Sequence, residues 1–407
     1  MHLLVLRSSF QTDDFVRSEY ADLIQRLEKE CHAKITILGD ENANGSMAFF
    51  PHDDSVMVAT GGVENLFKRI MPSTGKLIAD GRNNSLAASL EILTYLESQG
   101  RKGQIIHGTN DEIIATLVET ECTPSLRGLR IGLFGQPSDW LIASGVDRDY
   151  LLEHFGVETL DIDLQRLIDG IKAIPQPDAV KVAQAIVKKS KEVKEPTCAD
   201  MVEAAKAYLA IKKICTEERL DAMTIRCFDI VKSCGTTSCL ALALLNDEGI
   251  VAGCEGDMQT LMSMLLAKRL CGEKAFMANP SNLTATTSML AHCTIPLTMC
   301  DDISIRSHFE SGIGVAIQGM LPLTDYTIFK WGGPRLDRYF VTEAQAIGAP
   351  YSDHFCRTQI TLNVNLRPYL LKHSIGNHHV IIKGKYAEAI REAMRKCGIT
   401  SSAESEK

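Results

Sequence analysis

Two carboxylates follow a short apolar run in the middle of the chain. Residues 249–254 have the pattern of a buried strand; Glu255 and Asp257 come next, before apolar residues at helical spacing. Both acids are therefore expected at the carboxyl end of a strand, where open α/β sheets bind ligands. A carboxylate directly after a buried strand needs a partner, which makes Glu255 a candidate functional residue. Asp257 is either the N-cap of the following helix or a catalytic residue.

The next apolar run, Lys274–Ala278, ends at Asn279. Taken as a strand–helix–strand unit, residues 249–278 predict that Glu255 and Asn279 lie at the carboxyl ends of neighbouring parallel strands. The pattern therefore predicts that the acid and the amide face one crevice.

Three of the 11 histidines are candidates for the same crevice. His292 is isolated and precedes a proline by four residues, whereas His378 and His379 are adjacent. Each of them is either a hydrogen-bonded structural residue or a ligand. Neighbouring residues of a regular strand point to opposite faces, so at most one of the adjacent pair is expected to reach a given site.

These segments together resemble a known family. Their order and spacing are similar to those of the L-fucose/L-arabinose isomerase superfamily, in particular its short branch related to L-fucose isomerase. The resemblance is strongest over residues 221–310 and 375–384. It implies an α/β fold of two Rossmann-like doubly wound domains followed by a mostly β, barrel-like C-terminal domain. The segments that carry it are Cys254–Asp257, Phe276–Asn279, His292 and Gly376–His379.

The resemblance also implies a metal site. The family holds a divalent cation, usually Mn²⁺, with two carboxylates and histidine; Mg²⁺ is another candidate. By position, Glu255, Asn279, His292 and His379 would be the ligands, with His378 as the alternative to His379. The family has an acid where this chain has Asn279, and an amide oxygen brings no charge and cannot act as a base near neutral pH.

The activity implied is aldose–ketose isomerisation through an enediol, by an intramolecular oxidoreductase whose sugar is not specified. Glu255, Asn279 and Asp257 are its candidate catalytic residues. The departure at Asn279 leaves two alternatives open. One is a related metal-dependent epimerase or lyase acting on a sugar derivative, and the other is a non-catalytic sugar-binding protein on the same fold.

Five further polar residues are candidates for binding the sugar. A sugar site needs converging hydrogen-bond donors and acceptors, which a hydrogen-bonded corner of the barrel or a surface salt bridge would resemble in sequence. Both interpretations therefore stay open for several of them. The candidates are Arg226, Ser307, His308, Glu310 and His378.

The elements that must position these residues follow from the hydrophobic pattern. Short apolar runs alternate with helical stretches from the start, which predicts βαβ units and parallel sheets. We expect an N-terminal α/β domain over residues 1–125, a central α/β domain over 126–280 and a C-terminal β-rich domain over 281–407. The predicted N-terminal strands are His2–Leu6, Lys34–Leu38, Ser55–Ala59, Gly75–Ala79 and Gly103–His107.

Composition restricts the partners and the compartment. The net charge of −8, without a basic tract, argues against nucleic acid and anionic membranes. The apolar run at the N-terminus is too short for a signal sequence, and no stretch is long enough to span a bilayer. The 13 cysteines form no CxxC pair, which favours reduced thiols and a cytoplasmic protein. The resemblance further implies a small-molecule sugar substrate and a homo-oligomer.

Overall fold

The fold was obtained as a computed structural model that divides the chain into two compact units, Met1–Thr123 and Pro124–Lys407. The predicted further division near residue 280 stays a prediction. The residues that the structure describes are 2–31, 33–40, 55–70, 72, 75–101, 103–121, 126–348, 351–397 and 399–402.

The first unit is built on a five-stranded parallel sheet. Its strands are β1 (His2–Leu6), β2 (Lys34–Leu38), β3 (Ser55–Val58), β4 (Lys76–Ala79) and β5 (Gln104–His107). Its helices are α1 (Asp13–Glu19), α2 (Ala21–Glu30), α3 (Glu64–Ile70), α4 (Ser85–Ser98) and α5 (Asn110–Glu121), with a 3₁₀ turn at Arg82–Asn84. The strand order is β2-β1-β3-β4-β5. All five strands predicted from the sequence are confirmed.

The second unit contains many more elements. Its strands are β6 (Arg130–Phe134), β7 (Glu158–Ile162), β8 (Glu192–Val193), β9 (Ala222–Ile225), β10 (Val251–Cys254), β11 (Ala275–Leu283), β12 (Ser288–His292), β13 (Asp302–Arg306), β14 (Ala316–Met320), β15 (Asp325–Gly332), β16 (Arg338–Gly348), β17 (Thr358–Leu362), β18 (His379–Lys383) and β19 (Thr400–Ser401). Its helices are α6 (Arg148–Tyr150), α7 (Leu164–Ala173), α8 (Gln176–Lys189), α9 (Cys198–Glu217), α10 (Cys227–Cys234), α11 (Cys239–Glu248), α12 (Met258–Cys271), α13 (Arg367–Leu370) and α14 (Ala387–Lys396), with short helical turns at Leu151–Phe155 and Leu297–Met299.

Parallel strands form the first layer of this unit. They follow the order β10-β9-β6-β7, and β10 pairs with β9 in register from Val251 with Ala222 to Cys254 with Ile225. All four residues of β10 are buried, as a strand covered by helices requires. Helix α12 packs against β10, and the three residues 255–257 connect the two elements. This connection therefore carries both acids singled out above.

A closed six-stranded barrel forms the second layer. The strands run β15-β18-β11-β12-β17-β16, and β16 pairs back to β15. A smaller sheet, β14-β13-β8, accompanies the barrel. The fold is thus mixed α/β, with parallel sheets and a barrel. Within the described residues, no helix combines the length and the apolar character that crossing a membrane requires.

The strand predicted over Lys274–Ala278 is confirmed, but the parallel pairing predicted for it is wrong. This segment lies in β11, which pairs antiparallel with β18 through Ala275–Ala278 and with β12 from Asn279 onwards. It is therefore a barrel strand and is not the parallel neighbour of β10. Local hydrophobicity identified a strand here, but it carries no information about which distant strand completes the pairing.

Candidate functional site

Glu255 stands on an unusual turn at the carboxyl end of β10. Its φ of +63° lies in the left-handed region that non-glycine residues rarely adopt. Gly256 follows with a φ of +76°, and a Cβ at this position would lie 2.5 Å from Cα of Pro137. The backbone N–H of Ser138 donates to the carbonyl of Glu255 at 2.9 Å, which ties the turn to the 136–138 segment. Such conformations persist where the surroundings enforce them, and they concentrate at functional sites.

Asp257 is completely buried and caps α12. Its Oδ1 accepts from the backbone N–H of Thr260 at 2.8 Å, and its Oδ2 accepts from the Thr260 hydroxyl at 2.7 Å. Nζ of Lys330, also fully buried, donates to Oγ1 of Thr260 at 2.7 Å and lies 3.7 Å from Oδ2 of Asp257. Burial by itself would raise the pKa of Asp257, but the Lys330 charge and a hydrogen bond from His378 hold the pKa below its usual value. The carboxyl is therefore an anion.

His378 is oriented by this anion. Its Nδ1 lies 3.0 Å from Oδ2 of Asp257. Since a carboxylate only accepts, the proton of this hydrogen bond is on Nδ1. Nε2 is buried without a hydrogen-bond partner among the described residues, and it lies 3.7 Å from Oε1 of Glu255. A buried nitrogen left in this state fits a cation-binding role, because a carboxylate on the far side of an imidazole is the usual support of a metal-ligating histidine.

Glu255, His292 and His378 form a cluster. One candidate ligand atom from each lies within 4.8 Å of the others. His292 is buried, with Nδ1 3.0 Å from the hydroxyl of Thr294. Burial, with the nearby His378 and His308, lowers the pKa of His292 well below its usual value, so its ring is neutral and able to ligate. One carboxylate and two imidazoles form a donor set that first-row divalent metals accept.

His379 is placed elsewhere. Its Nδ1 lies 3.0 Å from the carbonyl of Asn377 and its Nε2 lies 2.9 Å from the Tyr369 hydroxyl. The carbonyl requires a proton on Nδ1, so Nε2 accepts from the hydroxyl and both nitrogens are occupied. The structure therefore does not support His379 as a ligand. Of the adjacent histidines, it is His378, assigned from the sequence to substrate binding, that reaches Glu255.

A cavity opens beside the cluster. Asn279 contributes to its wall from the start of the β11–β12 pairing, and His308 and Glu310 contribute from the segment after β13. Burial, with the charge of Arg357, lowers the pKa of His308 to about 4. Burial and the negative charge of Glu255 raise the pKa of Glu310. The cavity is lined by Cys227, Phe228, Val231, Thr237, Ser238, Cys239, Cys254, Glu255, Asn279, His292, Cys293, His308, Glu310 and Cys356.

Two predicted substrate-binding residues have structural partners instead. Arg226 forms ion pairs with Asp139 at 2.6 Å and Asp229 at 2.9 Å. Ser307 is buried, and its carbonyl and hydroxyl accept from the guanidinium of Arg357 at 2.8 and 3.3 Å. Neither belongs to the cavity wall described above. These contacts agree with the structural alternatives stated for the sequence: a surface salt bridge for Arg226 and a hydrogen-bonded corner of the barrel for Ser307.

Comparison with known proteins gives low-identity relatives over most of the chain. The chain is 22% identical over 330 residues to the sulfoquinovose isomerase of Alkalicoccus urumqiensis, covering 77% of this chain and 74% of that protein. It is 22% identical over 342 residues to the sulfoquinovose isomerase of Priestia megaterium, covering 80% and 76%. A third, from a Clostridium species, is 23% identical over 279 residues, covering 66% and 61%. No family model matches the chain.

Two residues of the site were not predicted from the sequence. Nε1 of Trp140, half-exposed, donates to Oε2 of Glu255 at 2.6 Å, and its ring packs edge-on against Phe228 at 5.1 Å between centroids. The available signal was a tryptophan, one of two in the chain, in a loop of polar and small residues. The second is Lys330, whose signal was a charged residue between the aromatic residues Phe329 and Trp331 of a strand.

Proposed function

We propose that this protein is an aldose–ketose isomerase that moves a proton between C1 and C2 of a sugar through an enediol. The observation that carries the proposal is the cluster of Glu255, His292 and His378 beside the cavity, in which the buried Nε2 of His378 has no hydrogen-bond partner among the described residues. The similarity to sulfoquinovose isomerases over about three-quarters of the chain supports the same reaction class.

Glu255, His292 and His378 would hold a divalent cation. An oxygen donor combined with two imidazoles suits Mn²⁺, which we take as the first candidate, with Mg²⁺ as the second. When bound, the cation would polarise the carbonyl and hydroxyl oxygens of the sugar. Asp257 would fix the ring of His378 through Nδ1, and Lys330 would keep Asp257 ionised.

The proton would be transferred by carboxylates of the cavity. Glu255 is only 14% exposed, and the N–H of Trp140 holds its Oε2, so its orientation is set before a sugar arrives. Glu310 lies on the same wall, and its raised pKa suits a group that gives a proton back to an enediol oxygen. The half-exposed ring of Trp140, which packs edge-on against Phe228, offers a face for the sugar ring to pack on.

Epimerisation or cleavage of a sugar derivative is the second candidate. Asn279 favours it, because this amide lines the cavity where the family has an acid, and an amide cannot shuttle a proton. The two reactions share the enediol and differ in product.

The test combines isotope exchange with product analysis. The protein is treated with chelator, reloaded with MnCl₂, and incubated in D₂O with sulfoquinovose, glucose and 6-deoxyglucose. We expect by NMR, from at least one sugar, a ketose product with deuterium at C1 and recovered aldose with deuterium at C2, and Glu255→Gln should lower kcat by about 10²-fold or more. Glu388→Gln, which changes a glutamate whose side chain is 89% exposed, is the matched control. Exchange without a ketose would favour the second candidate. No exchange with any sugar would contradict both.

A further inference from the structure

A short segment rich in hydroxyls enters the cavity from another side. Thr236, Thr237 and Ser238 lie between α10 and α11, and all three are almost completely buried. Thr237 and Ser238 line the same cavity as Glu255. The hydroxyl oxygens of Thr236 and Ser238 have no hydrogen-bond partner among the described residues. Leaving a buried hydroxyl unpaired is costly, so these two groups need an acceptor or donor that the protein does not supply.

The same segment ends at a helix N-terminus. Ser238 is the N-cap of α11, a helix of 10 residues, but its side chain makes no capping hydrogen bond. The first N–H groups of any helix lack an intrahelical acceptor, and serine at this position normally accepts from one of them. Here that bond is absent. The positive end of the helix dipole and an unpaired hydroxyl therefore occur together at a cavity wall, which is an arrangement that binds anions.

The segment is held rigidly by its other neighbour. Oγ1 of Thr237 accepts from the backbone N–H of Val315 at 2.9 Å and donates to the carbonyl of Val315 at 2.6 Å. Gly314 has a φ of +63°, and a Cβ there would lie 2.8 Å from the backbone nitrogen of Thr237. Because these contacts fix the segment without using Ser238, the hydroxyl and the helix end are organised before any ligand binds.

We propose that this end of the cavity binds an anionic substituent of the sugar, a sulfonate or a phosphate, through Ser238 and the first N–H groups of α11. The inference rests on the proposed function, because it assigns the class of substrate to the same cavity. The start of α11 attracts an anion and lines the same cavity as Glu255. The anionic group would therefore direct C1 and C2 of the sugar towards Glu255.

Equilibrium binding tests this assignment independently of turnover. Isothermal titration of the full chain in MnCl₂ buffer compares sulfoquinovose, glucose 6-phosphate and the uncharged 6-deoxyglucose. We expect wild type to bind at least one of the two anionic sugars ~10-fold or more tightly than 6-deoxyglucose. Whichever anionic sugar binds more tightly identifies the group as a sulfonate or a phosphate. Ser238→Ala should weaken that binding about tenfold and change 6-deoxyglucose binding less than about twofold.

Two further variants make the result independent of folding. Ser238→Asp supplies an N-cap as good as serine but places a carboxylate where the anion would bind, so it should abolish the preference for the anionic sugar. Ser233→Ala changes an exposed serine of the neighbouring helix and should behave as wild type.

The outcomes separate this inference from the proposed function. Equal binding of charged and uncharged sugars by wild type, or a preference that survives in Ser238→Asp, overturns the anion site; ketose formation in the same samples would leave the isomerase proposal standing. A Ser238-dependent preference without any proton exchange would support the anion site and contradict the isomerase. No binding of any sugar would overturn the anion site.

Discussion

The buried pair of Lys330 and Asp257 gives a prediction about stability. Both side chains are inaccessible to solvent, and the charged atoms lie 3.7 Å apart. At that distance, unit charges in a medium with an effective dielectric constant of about 20 attract by about 4.5 kcal/mol. Replacing Lys330 with methionine keeps most of the volume but leaves the carboxylate of Asp257 buried without its cation. Hydrogen bonds from Thr260 and His378 remain, so we expect Lys330→Met to lower the free energy of unfolding by about 3 kcal/mol.

The reciprocal change and the double variant identify the cause. In Asp257→Asn the amide oxygen still accepts from the backbone N–H of Thr260, but the ammonium of Lys330 is left without its anion. This variant should therefore lower the free energy of unfolding by a similar amount. In the double variant neither charge is buried alone. The decrease in the free energy of unfolding of the double variant should therefore be smaller than the sum of the decreases in the two single variants, by about 2 kcal/mol or more.

Urea unfolding followed by tryptophan fluorescence is the appropriate measurement. Both tryptophans of the chain, Trp140 and Trp331, lie in the unit that contains the pair, and Trp331 is the neighbour of Lys330. The signal therefore reports on that unit alone. Losses below about 1 kcal/mol in the single variants, or strict additivity in the double variant, would refute an electrostatic coupling between the two side chains.

Three further predictions concern other parts of the second unit. Trp140→Ala should raise KM for the sugar about tenfold in steady-state assays and Trp140→Phe less, because phenylalanine keeps a ring for the sugar to pack on; equal KM values would remove Trp140 from the site. Gly256→Ala should lower the free energy of unfolding by about 3 kcal/mol in urea titrations, because its φ is positive and the added Cβ meets a proline backbone; an unchanged midpoint would contradict this. The hydrogen bond from Arg306 lowers the pKa of Glu195 to about 2, so its stabilisation is present above about pH 4.5 and is lost as the pH falls through 2. Since Glu195 is 40% exposed, Glu195→Gln should cost at most about 1 kcal/mol at pH 7, and a loss that persists at pH 2 would contradict the assignment.

The sequence predicted the parts of the fold that depend on local patterns. The five strands of the first unit and the strand that precedes Glu255 were all recognisable as short apolar runs. The pairing of β11 was not recognisable, because the same run can complete a parallel sheet or a barrel. Only its antiparallel partners, β18 and β12, decide between the two, and they come from distant parts of the chain.

The candidate site was likewise predictable where it depends on local sequence patterns, but not where it depends on tertiary contacts. Glu255 stood out because a carboxylate after a buried strand requires an explanation, and the structure brings it together with His292 and a histidine of the adjacent pair. Alternation along a strand says that one of His378 and His379 faces the site, but not which one. The choice is made by the pairing of His379 with Ala278 and by the position of Asp257, both of which are tertiary facts.

Closure of the barrel has a consequence for how the protein is synthesised. Strand β18 lies between β15 and β11 in the barrel. Ala278 therefore cannot pair with His379 until the whole intervening segment has been translated. During that time the nascent chain exposes an apolar strand edge, which is the kind of surface that chaperones recognise and that aggregation exploits. His378 emerges from the ribosome together with the strand that closes the barrel. Closure of the barrel and assembly of the site therefore depend on the same short segment, and no partly synthesised chain that ends before His378 contains the complete cluster.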